Sequence, residues 1–460
     1  MKTRSGLLLL ALLVAASAQQ TSLTINDAVQ QSVAKYPAVR GSLEQVAAAA
    51  AGINLARTSY LPRADFLGQV NRSTHNNVFG LLLPQSVIPT ISGPVLGTNS
   101  LNNVWGTATG ALVSWEPFDF GLRGANVAAA QANRDRAQAE VGVTKLQVAT
   151  AAADAFLTIE AAQQTVVAAQ AGVDRAKTLN NVIETLVKNE LRPGADASRT
   201  KAELALAQTQ LIQAEQAVDI ARATLARFLG AAPDGISLQA GPLLQTPPEE
   251  DPTSVATTSV ATTRHPLAVV QSAVVDEVRA RERALDRSYY PRFNLQGAGY
   301  ARGTGVQPDG TTGGPVSGLG PNTQNWALGF SVYFPAFDIF SIREKKSIEA
   351  ANERAQSARY SQVVQDLNAD VARARAILNG SRRVAQNTPI QLEAAQATER
   401  QATARYKAGL GNIAEVAEAQ RLLTQAEIDD SLARLGVWRA LLGVAAAQGD
   451  LTGFLAQAGR

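Results

Sequence analysis

Hydrophobic and polar positions along this chain follow two different periods, one helical and one extended. Arg123 to Lys188 and Ile342 to Lys407 are rich in Ala, Gln, Val, Leu, Arg and Glu, and Pro389 is the single proline in either stretch. This composition predicts two long helices. At about 1.5 Å per residue each would extend for on the order of 100 Å, so it needs packing partners along its whole length. Shorter helices are predicted to return at about Ala197 to Leu229 and Ile413 to Ala446.

A period of two residues marks the predicted strands. Between Asn325 and Phe334 every second side chain is large and apolar, which predicts a strand with one hydrophobic face. Weaker alternation predicts three more strands, at Ala64 to Asn71, Val104 to Trp115 and Phe293 to Arg302. The expected fold class is therefore mainly α with a small β part.

The pattern occurs twice. Pro37 and Pro266 are 229 residues apart, whereas Leu191 and Leu410, like Asp119 and Asp338, are 219 apart. A constant offset over long stretches indicates an internal duplication. Each half is predicted to contain a short N-terminal helix, two strands and a helical hairpin, with turns at Lys188–Gly194 and Lys407–Asn412 where glycine or proline ends a helix.

The N-terminus has the features of a secretory signal peptide. Lys2 and Arg4 precede an apolar run, and Ala16-Ser17-Ala18 forms a small-residue cleavage site. Removal of this segment lowers the formal net charge from +3 to +1, so the basic balance does not indicate a nucleic-acid partner. The expected organisation is a signal peptide at 1–18, a first repeat at 19–230, a linking segment at 231–263, a second repeat at 264–446 and a C-terminal tail at 447–460.

Loops are predicted where polar, Gly-, Pro- and Asn-rich stretches interrupt the pattern. Arg72–Asn103 and Gly303–Thr323 separate the strands of each half, and Gly230–Thr263 joins the halves. The tail after Gln448 is expected to be the irregular counterpart of this joining segment.

The chain contains no cysteine, so it has no disulfide framework and no lipidatable thiol. It also lacks a later apolar run of about 18 residues, so an exported chain of this kind would enter a membrane through its strands. Four strands are too few to close a barrel, for which about eight is the minimum. Open strand edges in lipid would leave backbone groups unpaired, so the sequence predicts a barrel shared between chains.

Several motifs resemble those of the TolC-like outer-membrane efflux proteins. They are Leu23–Ala28 followed by Tyr36-Pro37, the strand-to-helix turns Trp115–Gly121 and Tyr333–Asp338, and the hairpin sequence Arg405–Val416. The resemblance implies a homotrimer in the outer membrane, in which four strands per chain make a 12-stranded β-barrel continued by an α-helical barrel across the periplasm. It also implies an exit duct that works with a periplasmic adaptor protein and an inner-membrane pump.

The resemblance further implies a periplasmic gate just after the second hairpin turn. Glu415 and Glu418 take the positions of the family's acidic residues, here glutamates in place of aspartates, and rings of such carboxylates would favour cations. In the returning helices the two halves are offset by 217 residues, as between Ala202 and Ala419. This offset sets Ser198 and Lys201 of the first half opposite the glutamates, and Lys201 could pair with Glu418 across adjacent hairpins. The alternative is that both glutamates are solvated surface charges.

Two further groups of residues complete the expected sites. The docking surface for the adaptor would consist of the tip residues Leu191, Gly194, Gly409, Leu410 and Gly411, whose simpler role is to end helices. Aromatic side chains near strand ends are typical of the girdle at a membrane interface, although core packing is an alternative for each. They are Trp105, Trp115, Trp326, Tyr333 and Phe334.

No catalytic or metal-binding arrangement is expected. The two histidines, His75 and His265, lack metal-ligand spacing, and the glycine-rich run Gly303–Gly320 lacks the lysine and strand-to-helix context of a phosphate loop. No cofactor and no enzymatic activity are therefore predicted. A periplasmic coiled-coil scaffold without a pore is the alternative function, and the sequence does not distinguish drugs, metal ions, proteins or polysaccharides as cargo.

Overall fold

The computed structural model describes residues 22–74, 101–239, 241–248, 263–307 and 309–459. The predicted signal peptide, His75 and most of the Arg72–Asn103 loop lie outside these ranges. The helices are α1 (Ile25–Lys35), α2 (Pro37–Thr58), α3 (Leu122–Lys188), α4 (Gly194–Leu229), α5 (Pro266–Arg287), α6 (Ile339–Lys407), α7 (Ile413–Gln448) and α8 (Thr452–Ala458). The strands are β1 (Arg63–Thr74), β2 (Asn103–Phe118), β3 (Arg292–Thr304) and β4 (Thr323–Tyr333).

The predicted long and returning helices are confirmed, and their lengths are nearly equal in the two halves. The helices α3 and α6 contain 67 and 69 residues, and α4 and α7 contain 36 residues each. Glycines in the left-handed conformation end both returning helices, Gly230 with φ 64° and Gly449 with φ 81°. Pro389 lies within α6 without ending it. Among the described residues, no helix combines the length and the apolar character needed to span a membrane.

Two strand boundaries and the predicted structure of the tail are corrected. β1 continues to Thr74 and β3 to Thr304, so the loops after them are shorter than expected. The tail was predicted to be irregular, but it forms the short helix α8, in which Phe454 and Ala458 are buried. Burial of these two apolar side chains contributes to holding this short segment in place.

The four strands form one antiparallel sheet in the order β1-β2-β3-β4. Because neighbouring strands run in opposite directions, the beginnings of β1 and β3 and the ends of β2 and β4 lie along the same edge, where the chain passes into helices. We call this line of strand ends, which crosses all four strands, the helical edge of the sheet. It is distinct from the free edges of the outer strands β1 and β4. Within the described chain, β1 and β4 each pair on one side only.

The two faces of the sheet differ in character. One face holds a small buried cluster of Ala108, Leu112, Ala298 and Tyr300. The other face exposes large apolar side chains at alternate positions, and Trp326, Leu328 and Phe330 are 82%, 71% and 62% exposed. The predicted strand with one hydrophobic face is therefore confirmed, and that face has no partner within the described chain.

The chain divides into two compact units that do not coincide with the two repeats. One unit comprises the chain up to Ser42, Glu140–Val269 and Val363 to the C-terminus. The other comprises Leu43–Ala139 and Val270–Gln362, and therefore contains the sheet.

The core of the first unit joins the linking segment to the tail. Trp438 of α7 is 2% exposed, donates a hydrogen bond from Nε1 to the carbonyl oxygen of Gln245 at 2.9 Å, and meets the Phe454 ring edge-on at 6.3 Å. Leu23 and Leu238 form a parallel β-bridge. One tryptophan of the second repeat thus contacts both the linking segment and the C-terminal tail.

Candidate functional site

Both hairpin tips close with the same backbone hydrogen bonds. At the end of α3, the N–H of Leu191 donates to Leu186 and that of Glu190 to Val187. At the end of α6, the N–H of Leu410 donates to Arg405 and that of Gly409 to Tyr406. Each pair is a Schellman motif, which satisfies carbonyl groups that the helix end would otherwise leave unpaired.

The left-handed residue of this motif differs between the tips. Gly409 adopts φ 73°, which glycine tolerates, whereas Glu190 adopts φ 59° with a full side chain. The leucine that follows is exposed in both tips, with Leu191 67% and Leu410 72% exposed. Four of the five predicted tip residues therefore lie in the two turns, and the fifth, Gly194, is the first residue of α4. Both leucines point to solvent in the single chain.

An arginine and a tyrosine join the two hairpins near their tips. The Arg192 guanidinium lies 4.6 Å from the centre of the Tyr406 ring and donates a hydrogen bond to the Tyr406 carbonyl oxygen at 3.3 Å. The Tyr406 hydroxyl in turn donates to Asp196 of α4 at 3.5 Å. Burial of this side chain, which is 5% exposed, raises the pKa of the Tyr406 hydroxyl. We call Arg192, Asp196 and Tyr406 the tip clamp.

The tip clamp rests on a small apolar core. Ile183 of α3 and the α7 residues Ile413 and Val416 are buried together with Tyr406 of α6. Beside them, the Thr200 hydroxyl donates to the side-chain oxygen of Asn180 at 3.0 Å, and both residues are buried. The two hairpins are therefore packed together, and not only tied at one point.

A charged contact joins the hairpins further from the tips. Arg175 of α3 donates two hydrogen bonds to Glu427 of α7, at 3.0 and 2.7 Å, and a third to the Thr424 hydroxyl at 2.8 Å. Bidentate arginine–carboxylate pairs are among the stronger protein hydrogen-bonded contacts. This contact fixes α3 against α7.

The two predicted gate glutamates have different partners. The N–H of Glu415 donates to Asn412, the N-cap of α7, at 2.9 Å, and the Asn412 amide donates back to the Glu415 carboxylate at 3.1 Å. Glu418 pairs with Arg421 at 2.6 Å, and the Arg421 guanidinium also lies 3.8 Å from Glu203 of α4. The contact between Lys201 and Glu418 does not form within the described part of this chain. Ser198 and Lys201 are exposed on α4.

Positively charged side chains also lie beside the two predicted gate glutamates. An open groove of about 620 Å³ runs beside Glu415 and Glu418, and Arg199, Arg405 and Arg421 line it too. Sequence reasoning missed these arginines, as it missed the tip clamp. Arg421 could have been predicted as a partner of Glu418, because it lies three positions later on the same helical face. The contact between Arg192 and Tyr406 could not have been predicted, because no local pattern indicates that the two residues meet.

The predicted girdle residues lie towards both edges of the sheet. Trp115 donates from Nε1 to the Tyr60 carbonyl oxygen at 3.0 Å at the helical edge, and Arg72 lies 5.0 Å over the Trp105 ring at the opposite edge. Trp326 is 82%, Phe334 61% and Tyr333 51% exposed.

Glu160 and His265 are among the titratable groups that are buried away from the tips. Glu160 of α3 is 2% exposed, its Oε1 has no hydrogen-bond partner, and burial raises the pKa of its carboxyl to about 7. His265 is 3% exposed, and burial lowers the pKa of its imidazole. Its Nδ1 accepts from the N–H of Leu267 at 3.2 Å, so Nε2 carries the proton and lies 3.3 Å from the Ala446 carbonyl oxygen.

Comparisons with known proteins bear on this arrangement. A family model described as outer membrane efflux protein matches residues 28–231 and 259–450. Protein CyaE of Bordetella pertussis is 25% identical over 401 residues, which cover 86% of this chain and 78% of that protein.

Solved structures share the fold at low sequence identity. The outer membrane protein VceC of Vibrio cholerae aligns with a TM-score of 0.69 at 15% identity, over 93% of this chain and 96% of that one. The open state of the Neisseria gonorrhoeae MtrE outer membrane channel aligns with a TM-score of 0.69 at 18% identity, over 93% and 89%. The Campylobacter jejuni CmeC outer membrane channel aligns with a TM-score of 0.70 at 14% identity, over 92% and 85%.

Proposed function

Because the chain belongs to the outer membrane efflux protein family, we propose that its hairpin tips form the gated, adaptor-contacting mouth of a homotrimeric exit duct. Outer-membrane location and an efflux role follow from the family itself. The duct moves substrate passively, and an inner-membrane pump supplies the energy. The observation that carries the proposal is the pair of matched tips, which close with the same motif after long helices of nearly equal length.

Trimer formation is supported by the unpaired strands. β1 and β4 each lack a neighbour on one side within the described chain, and the exposed face of the sheet is apolar. Backbone groups that face lipid without partners are costly, so the free edge of β1 is expected to pair with β4 of another copy. Three copies would supply twelve strands, which is within the range of closed membrane barrels.

Gating is proposed to act through the contacts between the hairpins. The tip clamp and the Arg175–Glu427 pair hold the second hairpin against the first. If the mouth widens by outward movement of one hairpin, these contacts must lengthen or break. Closed and open states would then differ by a few polar contacts. Binding of an adaptor to the open state could compensate the free energy lost with those contacts.

Ion selection at the mouth is proposed to depend on Glu415 and Glu418. Threefold symmetry would place three copies of each carboxylate around one axis, where they would attract cations. The Arg421 guanidinium, 2.6 Å from Glu418, offsets part of this charge. Selectivity for cations is therefore expected to be moderate.

Adaptor docking is proposed at the exposed tip leucines. Leu191 and Leu410 are apolar and well exposed, and Gly194 and Gly409 have open space where a side chain would begin, which allows close approach of another backbone. Exposed apolar side chains at matched positions are typical of a protein contact. Crosslinking through cysteines placed at Asn189 and Asn412 in cells tests this, and failure to capture any periplasmic protein at either position would contradict it.

Conductance in planar bilayers tests the duct and its gate together. Purified trimer is expected to form pores, and the Glu415→Gln, Glu418→Gln double variant to conduct anions better than the wild type. The matched control changes two exposed glutamates of α6, Glu344→Gln and Glu393→Gln, and should leave selectivity unchanged. A protein without pores, extractable without detergent, would instead indicate a periplasmic scaffold.

A further inference from the structure

Exposed arginines recur beside exposed apolar side chains at the helical edge of the sheet. At the end of α2, Arg57 precedes Tyr60 and Leu61, which are 45% and 65% exposed. At the end of α5, Arg287 precedes Tyr290, which is 44% exposed. In the first turn of α6, Phe340 is 66% exposed and lies three positions before Arg343.

The local geometry is the same in the first two places. The N–H of Tyr60 donates to the carbonyl oxygen of Arg57 at 3.1 Å, and that of Tyr290 donates to Arg287 at 3.4 Å. In each place the arginine therefore sits one turn from the apolar side chain, on the helical side. In α6 the apolar residue comes before the arginine, because this helix follows a strand, whereas α2 and α5 each precede one.

Among the described residues, no side-chain contact of these three arginines stabilises the fold. Arg57, Arg287 and Arg343 are exposed, and within the described ranges none of them forms an ion pair. The fourth strand–helix connection, between β2 and α3, differs from these three. Its arginine, Arg123, is buried and pairs with Asp119 at 3.0 Å. Unpaired guanidinium groups retain all their N–H donors for an external acceptor.

The spacing matches the layered structure of a bilayer. The hydrocarbon core is about 30 Å thick and the whole bilayer about 40–45 Å, which leaves roughly 5–8 Å for each headgroup layer. One helical turn rises about 5.4 Å. If Tyr60, Tyr290 and Phe340 lie at the boundary of the hydrocarbon, the arginines one turn further lie at the depth of the phosphates.

We propose that Arg57, Arg287 and Arg343 form a collar that binds the phosphate groups of anionic phospholipids in the leaflet next to the helices. The proposal rests on the outer-membrane location of the chain. Guanidinium groups bind phosphate through paired N–H donors, and the neighbouring aromatic and leucine side chains contact the acyl chains of the same lipids. The collar thereby sets the depth of the sheet in the membrane.

Tryptophan quenching in reconstituted membranes tests this in a background with Trp105→Phe and Trp326→Phe, in which Trp115 is the tryptophan left on the sheet and lies at the same edge as the arginines. The mature protein is placed in phosphatidylethanolamine nanodiscs with brominated phosphatidylglycerol or brominated phosphatidylethanolamine as the quencher. Wild type should favour the anionic quencher. The triple variant Arg57→Gln, Arg287→Gln, Arg343→Gln should lower this preference by at least about fivefold, the factor expected for loss of even one interfacial cation.

Two further variants serve as controls. The triple variant Arg40→Gln, Arg354→Gln, Arg359→Gln removes the same charge from exposed positions away from the sheet edge and should keep the preference. The triple variant Arg57→Lys, Arg287→Lys, Arg343→Lys keeps the charge and should restore most of it.

Several outcomes would overturn the proposal. Equal quenching by the two lipids in the wild type would exclude anionic selection, and relief of the preference by millimolar inorganic phosphate would indicate a site for free phosphate. Loss of the trimer in the glutamine variant, whatever the lipid, would indicate an interface between copies. If neither lipid quenches, the membrane location itself is wrong, and the proposed function fails with it.

Discussion

The two halves of the chain have similar backbone structures, but different side-chain contacts stabilise them. Both tips close with a Schellman motif, yet the left-handed position is Glu190 in one and Gly409 in the other. Both strand–helix turns contain an aspartate, yet Asp119 is buried against Arg123, while Asp338 is exposed and accepts from the Tyr333 hydroxyl at 3.0 Å. A duplication can thus preserve helix length and turn geometry while side-chain contacts diverge.

The largest expected difference between the halves is the loss of unfolding free energy when each of these aspartates is replaced. Asp119 accepts from the N–H of Arg123 at 2.7 Å, from its guanidinium at 3.0 Å and from the N–H of Gly121 at 3.1 Å. Asp119→Ala would leave the buried Arg123 charge unpaired and should cost about 3 kcal/mol of unfolding free energy. Asp338→Ala should cost less than about 1 kcal/mol. Denaturant unfolding of the purified variants measures both, and equal losses would contradict the contrast.

Acid should weaken the same contact. Burial alone would raise the pKa of Asp119, but hydrogen bonds from Arg123 and Gly121 outweigh it and lower the pKa below its ordinary value of 3.8. Its stabilising contribution is therefore present above about pH 4 and is lost as the pH falls through the lowered pKa. The Asp119→Ala variant should lack this part of the acid dependence.

A second contrast concerns Glu160, whose counterpart at the 219-residue offset is the exposed Asn379. The raised pKa of about 7 means that the folded protein binds a proton more tightly than the unfolded chain, for which the value is 4.5. Stability should therefore fall as the pH rises from 4.5 to 7 and stay lower above that range.

Glu160→Gln removes this titration. The variant should be more stable than the wild type at pH 8, by up to about 3 kcal/mol at about 1.4 kcal/mol per pKa unit, with the gain vanishing near pH 4.5. Unfolding midpoints measured from pH 4.5 to 8 test it. The exposed control Glu393→Gln should show no such pH trend, and a pH-independent gain in Glu160→Gln would contradict the assignment.

A smaller change in stability is expected at the two tips, where opposite substitutions should have opposite effects. Glu190→Gly should stabilise the first tip by up to about 1 kcal/mol, because glycine adopts φ 59° without a steric cost. Gly409→Ala should destabilise the second tip by a similar amount. Amide hydrogen exchange at each tip measures the local effect, and a change of the same sign in both variants would show that backbone strain does not distinguish them.

The smallest expected effect concerns the charges of the proposed gate. Glu418 and Arg421 of the second hairpin correspond by the 217-residue offset to Lys201 and Leu204 of the first, so only the second hairpin carries the ion pair. Arg421→Ala should shift the reversal potential in a salt gradient towards cation selectivity, since it frees the Glu418 carboxylate. Lys201→Ala should shift it less, and the reverse order would favour Lys201 as the partner of Glu418 in the assembled protein.

Much of the fold was predictable because periodicity and turn residues are local signals. All four strands and the four long or returning helices were predicted close to their observed bounds, as Ile413 for the start of α7 illustrates. The tips were located correctly from Leu191 and Leu410, since glycine and proline end helices wherever they occur in such a pattern. The helix in the tail was missed, because seven residues carry too little periodicity to be distinguished from a loop.

The sequence alone determined the duplication, the matched hairpin lengths, the hydrophobic face of β4 and the positions of both turns, because each depends on residues close together in the chain. Only the tertiary structure decided that Trp438 joins Gln245 to Phe454, that Arg192 covers Tyr406 and that Glu160 is buried without a partner for its Oε1. These contacts join residues up to 214 positions apart, as between Arg192 and Tyr406. Their partners are selected by how the helices pack, and no local pattern records that choice.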